Sequence, residues 1–261
     1  MPALLTKTYA RLFPNGIIDA VRQILIVVGA YYLYRLVRGA VDGHANVAYD
    51  NGRWIIDLER STHTFIEPGI QQWASGKAWL IDFASWMYVN SHFTLTVSSI
   101  VFIYLFHNKS FYFVRNMFVI SMGIALVGYM LMPTAPPRFF PEWGFEDSVA
   151  NFTGIDAKDV TVNALFNPYA AVPSMHVGFS LMLGITMVRL VKFKPLKVFW
   201  ALYPLIVSFV VISTGNHWVF DAVTGAMTAA LSALGAQYLL ARARPQAWAF
   251  QPEPARAGAP A

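Results

Sequence analysis

The chain has 261 residues, of which 56% are apolar and only 13% charged, with a formal net charge of +5. So little charge excludes an ordinary soluble domain and indicates a membrane protein. Cysteine is absent, which excludes a disulfide framework, a thiolate nucleophile and a cysteine metal site.

In chain order, residues 1–16 are expected to form a cytoplasmic N-terminal segment. Six stretches then approach the length of about 20 apolar residues that crosses hydrocarbon, at residues 17–37, 88–106, 116–132, 173–191, 198–214 and 218–240. The first is the weakest, because Asp19, Arg22 and Gln23 confine its strongly apolar centre to residues 24–34. No small-residue cleavage site follows it, so it reads as a retained anchor and not a signal peptide. Between the first two stretches, Trp54, Ile55, Leu58, Phe65, Ile66, Ile70 and Trp73 recur near helical spacing with charges in the gaps. That pattern predicts an interfacial amphipathic helix on the outer leaflet over residues 53–73, kinked or broken at Pro68; a soluble loop insertion is the alternative. The Pro- and Ala-rich residues 242–261 read as a disordered cytoplasmic tail. The expected fold is all-α: one membrane domain over residues 17–241, a six-transmembrane-helix bundle with an outer-leaflet amphipathic helix.

Basic residues of short connections collect on the cytoplasmic side. Lys7 and Arg11, Lys109 and Arg115, the group Arg189, Lys192, Lys194 and Lys197, and the group Arg242, Arg244 and Arg256 all fall on one side of a six-span path. They line no single face, as a nucleic-acid binder would require. Both termini are then cytoplasmic, and residues 133–172 lie outside with an acidic balance: Glu142, Glu146, Asp147, Asp156 and Asp159 against Arg138 and Lys158.

On this path His176, His217 and Arg138 emerge at the outer face. His217 and Asp221 are four apart at a helix start, so they share a face and the carboxylate can bond a ring nitrogen, fixing the tautomer and stabilising an imidazolium. His176 follows Pro173-Ser174 in the opening turn of another helix, where free amides and the dipole favour an anion. Ser174 is the expected N-cap. Zinc is the competing reading for two histidines and an aspartate, although no H-E-x-x-H pattern supports it. His92 and His107 read as interhelix hydrogen-bonding residues, His44 and His63 as residues of watery loops. Gly225 with Ala229, Ala230 and Ala233 predicts close helix packing.

Three segments resemble the signature motifs of the type 2 phosphatidic acid phosphatase (PAP2) superfamily: Pro133-Thr134-Ala135-Pro136-Pro137-Arg138, Val172-Pro173-Ser174-Met175-His176 and Gly215-Asn216-His217-Trp218-Val219-Phe220-Asp221. Within it they look most like the inositol phosphorylceramide synthase branch and its bacterial relatives. The resemblance implies metal-independent, cofactor-free phosphoryl transfer through a phosphohistidine in a bacterial plasma membrane. It casts His217 as nucleophile, Asp221 as the group orienting it, His176 as general acid, and Arg138 with Ser174 as phosphate-binding residues. The substrate would be a phospholipid or lipid phosphate, and the acceptor water or a lipid or glycan alcohol. The widespread phosphatase motifs carry a Lys and an Arg where this chain has Leu131 and Val211, and usually a Gly where it has Met175. Fewer cations suit a phosphodiester, which carries one charge less than a phosphomonoester. The resemblance therefore favours head-group transfer, with hydrolysis of a lipid phosphate or polyprenyl pyrophosphate as the alternative and non-catalytic lipid binding or transport as a second.

Overall fold

The computed structural model describes residues 8–40, 45–155 and 167–245; His44 and most of the tail lie outside them. Among the described residues there is no strand, only an isolated bridge between Thr134 and Ala170. A helix suits a span because it satisfies its own backbone where hydrocarbon offers no outside partner.

Helix α1 (Ile17–Ala40) is the first span. Two of the polar residues that weaken it as a sequence signal, Asp19 and Gln23, face α6 (Asn108–Leu131). There Tyr112 Oη donates to Asp19 at 2.5 Å, Gln23 Nε2 donates to Asp19 at 2.8 Å, and Arg115 donates to Gln23 and Asn116. Arg115 therefore does not belong with the connecting-loop cations. It is 2% exposed inside α6, and its charge is satisfied by polar partners within the bundle, which counting basic residues along the sequence cannot reveal.

Two helices precede the second span, where a helix kinked or broken at Pro68 was expected. Helix α2 (Ala45–Ser61) buries Ala48, Gly52, Ile55, Ile56 and Glu59, and α3 (Glu67–Ser75) buries Glu67, Gln71 and Ala74. The break falls at residues 62–66, where the carbonyl of Glu59 accepts the amides of Thr64 and Phe65. Pro68 lies in the first turn of α3, where its missing N–H is no loss, so it starts a helix instead of kinking one. The second span is one run from α4 (Ala78–Trp86) through a π turn (Met87–Ser91) into α5 (His92–Phe106), beginning ten residues before its expected start.

After α6 come two short 3₁₀ turns (Pro137–Phe139 and Pro141–Trp143) and α7 (Ser148–Thr153). Then follow α8 (Met175–Leu190), α9 (Lys194–Ser213) and α10 (Val219–Gly235), which continues through a π turn to α11 (Ala241–Ala243). Five described helical runs are long and apolar enough to cross a membrane, whereas α8 has only 16 residues. It is the central helix of the bundle, packed against α5, α6, α9 and α10, so protein and not lipid surrounds most of it.

A second apolar cluster lies over the end of the bundle at which α6 finishes and α8 and α10 begin. Ala48, Ile55 and Ile56 of α2 pack there with Ala135, Phe140, Phe145, Val172 and Trp218. Trp218 is fully buried, meets Phe140 and Phe145 edge-on, and donates its indole N–H to Ala135 O at 3.0 Å. This cluster holds three chain segments, distant in sequence, over one spot.

Candidate active site

The first segment leaves α6 with its backbone tied to α2: Asn51 Nδ2 donates to Pro133 O at 2.7 Å and Ala135 N to Ala48 O at 2.9 Å. The 3₁₀ turn then projects Arg138, whose amide donates to Gly215 O at 2.9 Å. Its Nη1 donates to Asn216 Oδ1 at 2.6 Å, and its Nε stands 3.4 Å from Asp147 Oδ2. The guanidinium is thus aimed at the residue immediately before His217.

The second segment begins α8. Ser174 is its N-cap, fully buried, with Oγ accepting from Val177 N at 3.5 Å, which leaves the hydroxyl proton free to donate. The amide of Ser174 donates to Asp221 O at 3.0 Å, so α8 and α10 are joined at their starts. Gly225 makes this possible: a Cβ there would lie 2.3 Å from Ser174 O.

The third segment turns at Gly215, whose φ of +68° suits glycine and whose Cβ would meet Gln71 and Glu146 at 3.0 Å. His217 follows, 6% exposed. Its Nδ1 lies 3.1 Å from Asp221 Oδ2, the oxygen that also accepts from Trp218 N at 3.0 Å. The carboxylate therefore caps its own helix and holds the imidazole together. The His176 and His217 rings face each other at 5.6 Å between centroids, with planes at 60°. Arg138, Ser174, His176, His217 and Asp221 are all assembled at one end of the bundle.

Sequence reasoning missed four contributors. His92 does bridge helices, with Nδ1 3.3 Å from Tyr203 Oη, but its ring also lies 4.7 Å from that of His176. Tyr88 stacks on His176 at 4.7 Å and 26°. Both come from the π turn and the residue after it, a distortion that often accompanies functional residues. Arg38 of α1 spreads over Tyr129 with Cζ 5.5 Å from the ring centroid, and its Nε is sealed from water without a partner. Tyr129 in turn donates to Pro173 O at 3.3 Å, linking Arg38 to the start of α8. The fourth contributor is the carboxyl pair Glu59 and Glu67, which holds the first turn of α10: Glu67 Oε1 accepts Val219 N and Glu59 Oε1 accepts Phe220 N, both at 2.7 Å. The remaining described histidines lie elsewhere, His107 at the α5–α6 turn and His63 in the α2–α3 turn with φ of 58°.

Apolar spans enclosing a histidine–aspartate pair, a second histidine and an arginine define an integral membrane protein with a built polar site at one end. The chain belongs to the PAP2 superfamily, which it matches over residues 53–235, a stretch that contains all three motif segments. Members of that superfamily are generally phosphatases or phosphotransferases. No curated protein and no solved structure matches the chain.

Proposed function

We propose that this protein transfers phosphoryl-containing groups between lipid phosphoesters and an acceptor through a phosphohistidine on His217. The observation that carries the reading is the contact of His217 Nδ1 with Asp221 at 3.1 Å, with His176 facing the same ring. Asp221 holds a proton on Nδ1, so the lone pair of Nε2 is free to attack. The Nε2–P bond forms as the P–O bond to the leaving alkoxide breaks, and His176, protonated, gives that oxygen its proton. Arg138 and the hydroxyl of Ser174 stabilise the charge that builds on the phosphoryl oxygens. In the second step an acceptor hydroxyl attacks phosphorus, its proton passes to His176, and Nε2 leaves. Each group ends as it began.

Within this chemistry we favour transfer of a phospho-head group, inositol phosphate-like, from a phospholipid. Leu131 is 81% exposed at the end of α6 and Val211 is fully buried in α9, so neither position adds a cation for a dianionic monoester. One observation favours the second reading, hydrolysis of a lipid phosphate or polyprenyl pyrophosphate: Arg38, packed over Tyr129 whose hydroxyl bonds Pro173 O, is an additional cation close to the start of α8. The site faces the outer side and both termini the cytoplasm. Lys109, Arg189, Lys192, Lys194, Lys197 and Arg242 support this, since they belong to the helix ends opposite the site.

The test incubates detergent-purified protein with phosphatidylinositol and a lipid alcohol, and separately with phosphatidic acid. Head-group transfer from the diester supports the first reading, and free phosphate from the monoester alone selects the second. Labelled phosphate should be trapped on histidine in the wild type and not in His217→Ala; unchanged turnover in that variant would leave non-catalytic lipid binding as the remaining reading.

A further inference from the structure

Glu59 and Glu67 are 2% and 0% exposed. They come from two different helices, α2 and α3, and each spends one oxygen on a backbone amide of α10. Those amides, of Val219 and Phe220, are donors that an α-helix start leaves without an intrahelical partner. The other oxygens, Oε2 of each residue, are sealed from water and accept no N–H. The adjacent amides that Glu59 and Glu67 hold bring the two carboxyls together, and a side-chain hydrogen bond between two carboxyls requires that one be protonated. A third carboxylate, Asp221, lies in the same turn, so three ionised groups together would be strongly repulsive.

We infer that Glu59 and Glu67 share one proton and act as positioning residues for His217, clamping the first turn of the helix that begins beside it. The kinetic consequence rests on the phosphotransfer reading above; the shared proton does not. The clamp fixes Val219 and Phe220, and with them the orientation of Asp221 and the ring it holds. The proton also lowers the negative charge beside a histidine that must receive an anionic phosphoryl group.

The titratable groups acting on Glu59 are Glu67 from α3 and Asp221 from α10, while Arg60, its neighbour on α2, is spread over the Trp143 ring. Burial foremost, then the hydrogen bond and charge of Glu67, push the Glu59 carboxyl up to about 9. Below the ordinary carboxyl range, folded and unfolded chains both hold this proton. From there to about pH 9 the folded chain keeps a proton that the unfolded chain has released, so the contribution to stability falls as pH rises across that window. Above it Glu59 ionises in place, against its burial and the neighbouring carboxyls.

Full-length protein in detergent is compared with E59Q, E67Q and E59A. Glutamine at 59 accepts from Phe220 N and donates permanently toward the Glu67 carboxyl, so it replaces the shared proton with one that does not titrate. Three results are expected. A protonated-carboxyl band in the infrared difference spectrum at pH 7 is present in the wild type and absent from E59Q. The melting temperature of E59Q declines less with rising pH than that of the wild type. Turnover of dioctanoyl phosphatidic acid or phosphatidylinositol declines through about pH 9 in the wild type but not in E59Q, and E59A lowers kcat roughly tenfold with KM little changed. Coincident melting profiles and no carboxyl band would overturn the inference. No turnover by any form would instead count against phosphotransfer, leaving the infrared and melting measurements to decide the clamp; if E59A does not fold, E59Q and E67Q decide it.

Discussion

Replacing Gly225 by alanine tests how tightly α8, which carries His176, and α10, which follows His217, must be joined. The added Cβ would lie 2.3 Å from Ser174 O, 3.2 Å from Ser174 C and 3.4 Å from Gly178 N. An ordinary carbon–oxygen contact is about 3.3 Å or longer, so the start of α8 must move by roughly 1 Å. That movement stretches the 3.0 Å bond from Ser174 N to Asp221 O and carries His176 away from His217. A misplacement of this size costs about 100-fold in kcat when reacting groups must be aligned. Stability should change far less, because overpacking costs about 1–3 kcal/mol while alanine returns up to about 1 kcal/mol of helix propensity. The assay pairs single-turnover phosphoenzyme formation with thermal unfolding of the same preparation. A G225A variant with kcat within about threefold of wild type would refute the alignment argument, as would an activity loss fully explained by unfolding.

Two other substitutions separate charge from shape. Asp221→Asn can still accept from Trp218 N, so folding should persist, but it cannot stabilise an imidazolium. Phosphoenzyme formation should slow by about a thousandfold or more with little change in melting temperature. Arg38→Gln removes a cation while keeping a polar side chain over Tyr129. The kcat/KM for a phosphomonoester lipid should fall about tenfold and that for a phosphodiester by less, measured as the ratio of the two; equal losses would make Arg38 a structural residue.

The histidine–aspartate pair was legible because its spacing of four is a local property of a helix. Ser174 was legible as a cap for the same reason. Glu59 and Glu67 were not, since their partners Val219 and Phe220 are more than 150 residues away and no local period encodes such a pairing. The amphipathic pattern of α2 and α3 even misleads here, because it assigns charged residues to solvent while Glu59 lies on the buried face. Arg115 was misread by the same assumption. Arg38 was hidden for another reason: it ends a span whose signal is weak, and only the packing of α1 against Tyr129 brings it near the start of α8. His92 was visible as a polar residue in an apolar run, but its approach to His176 depends on a π turn.

The length of α8 has a consequence for how a lipid reaches the site. Sixteen residues rise about 24 Å, against about 30 Å of hydrocarbon. With its far end level with one interface, its first residue stops roughly 6 Å short of the other. On the topology proposed above, this sets His176 beneath the depth at which phosphates normally float. A phospholipid approaching sideways would then need only to dip its head group toward His176. On the phosphotransfer proposed above, its acyl chains would stay in the bilayer throughout, and no lipid would have to be lifted out for its phosphate to be exchanged.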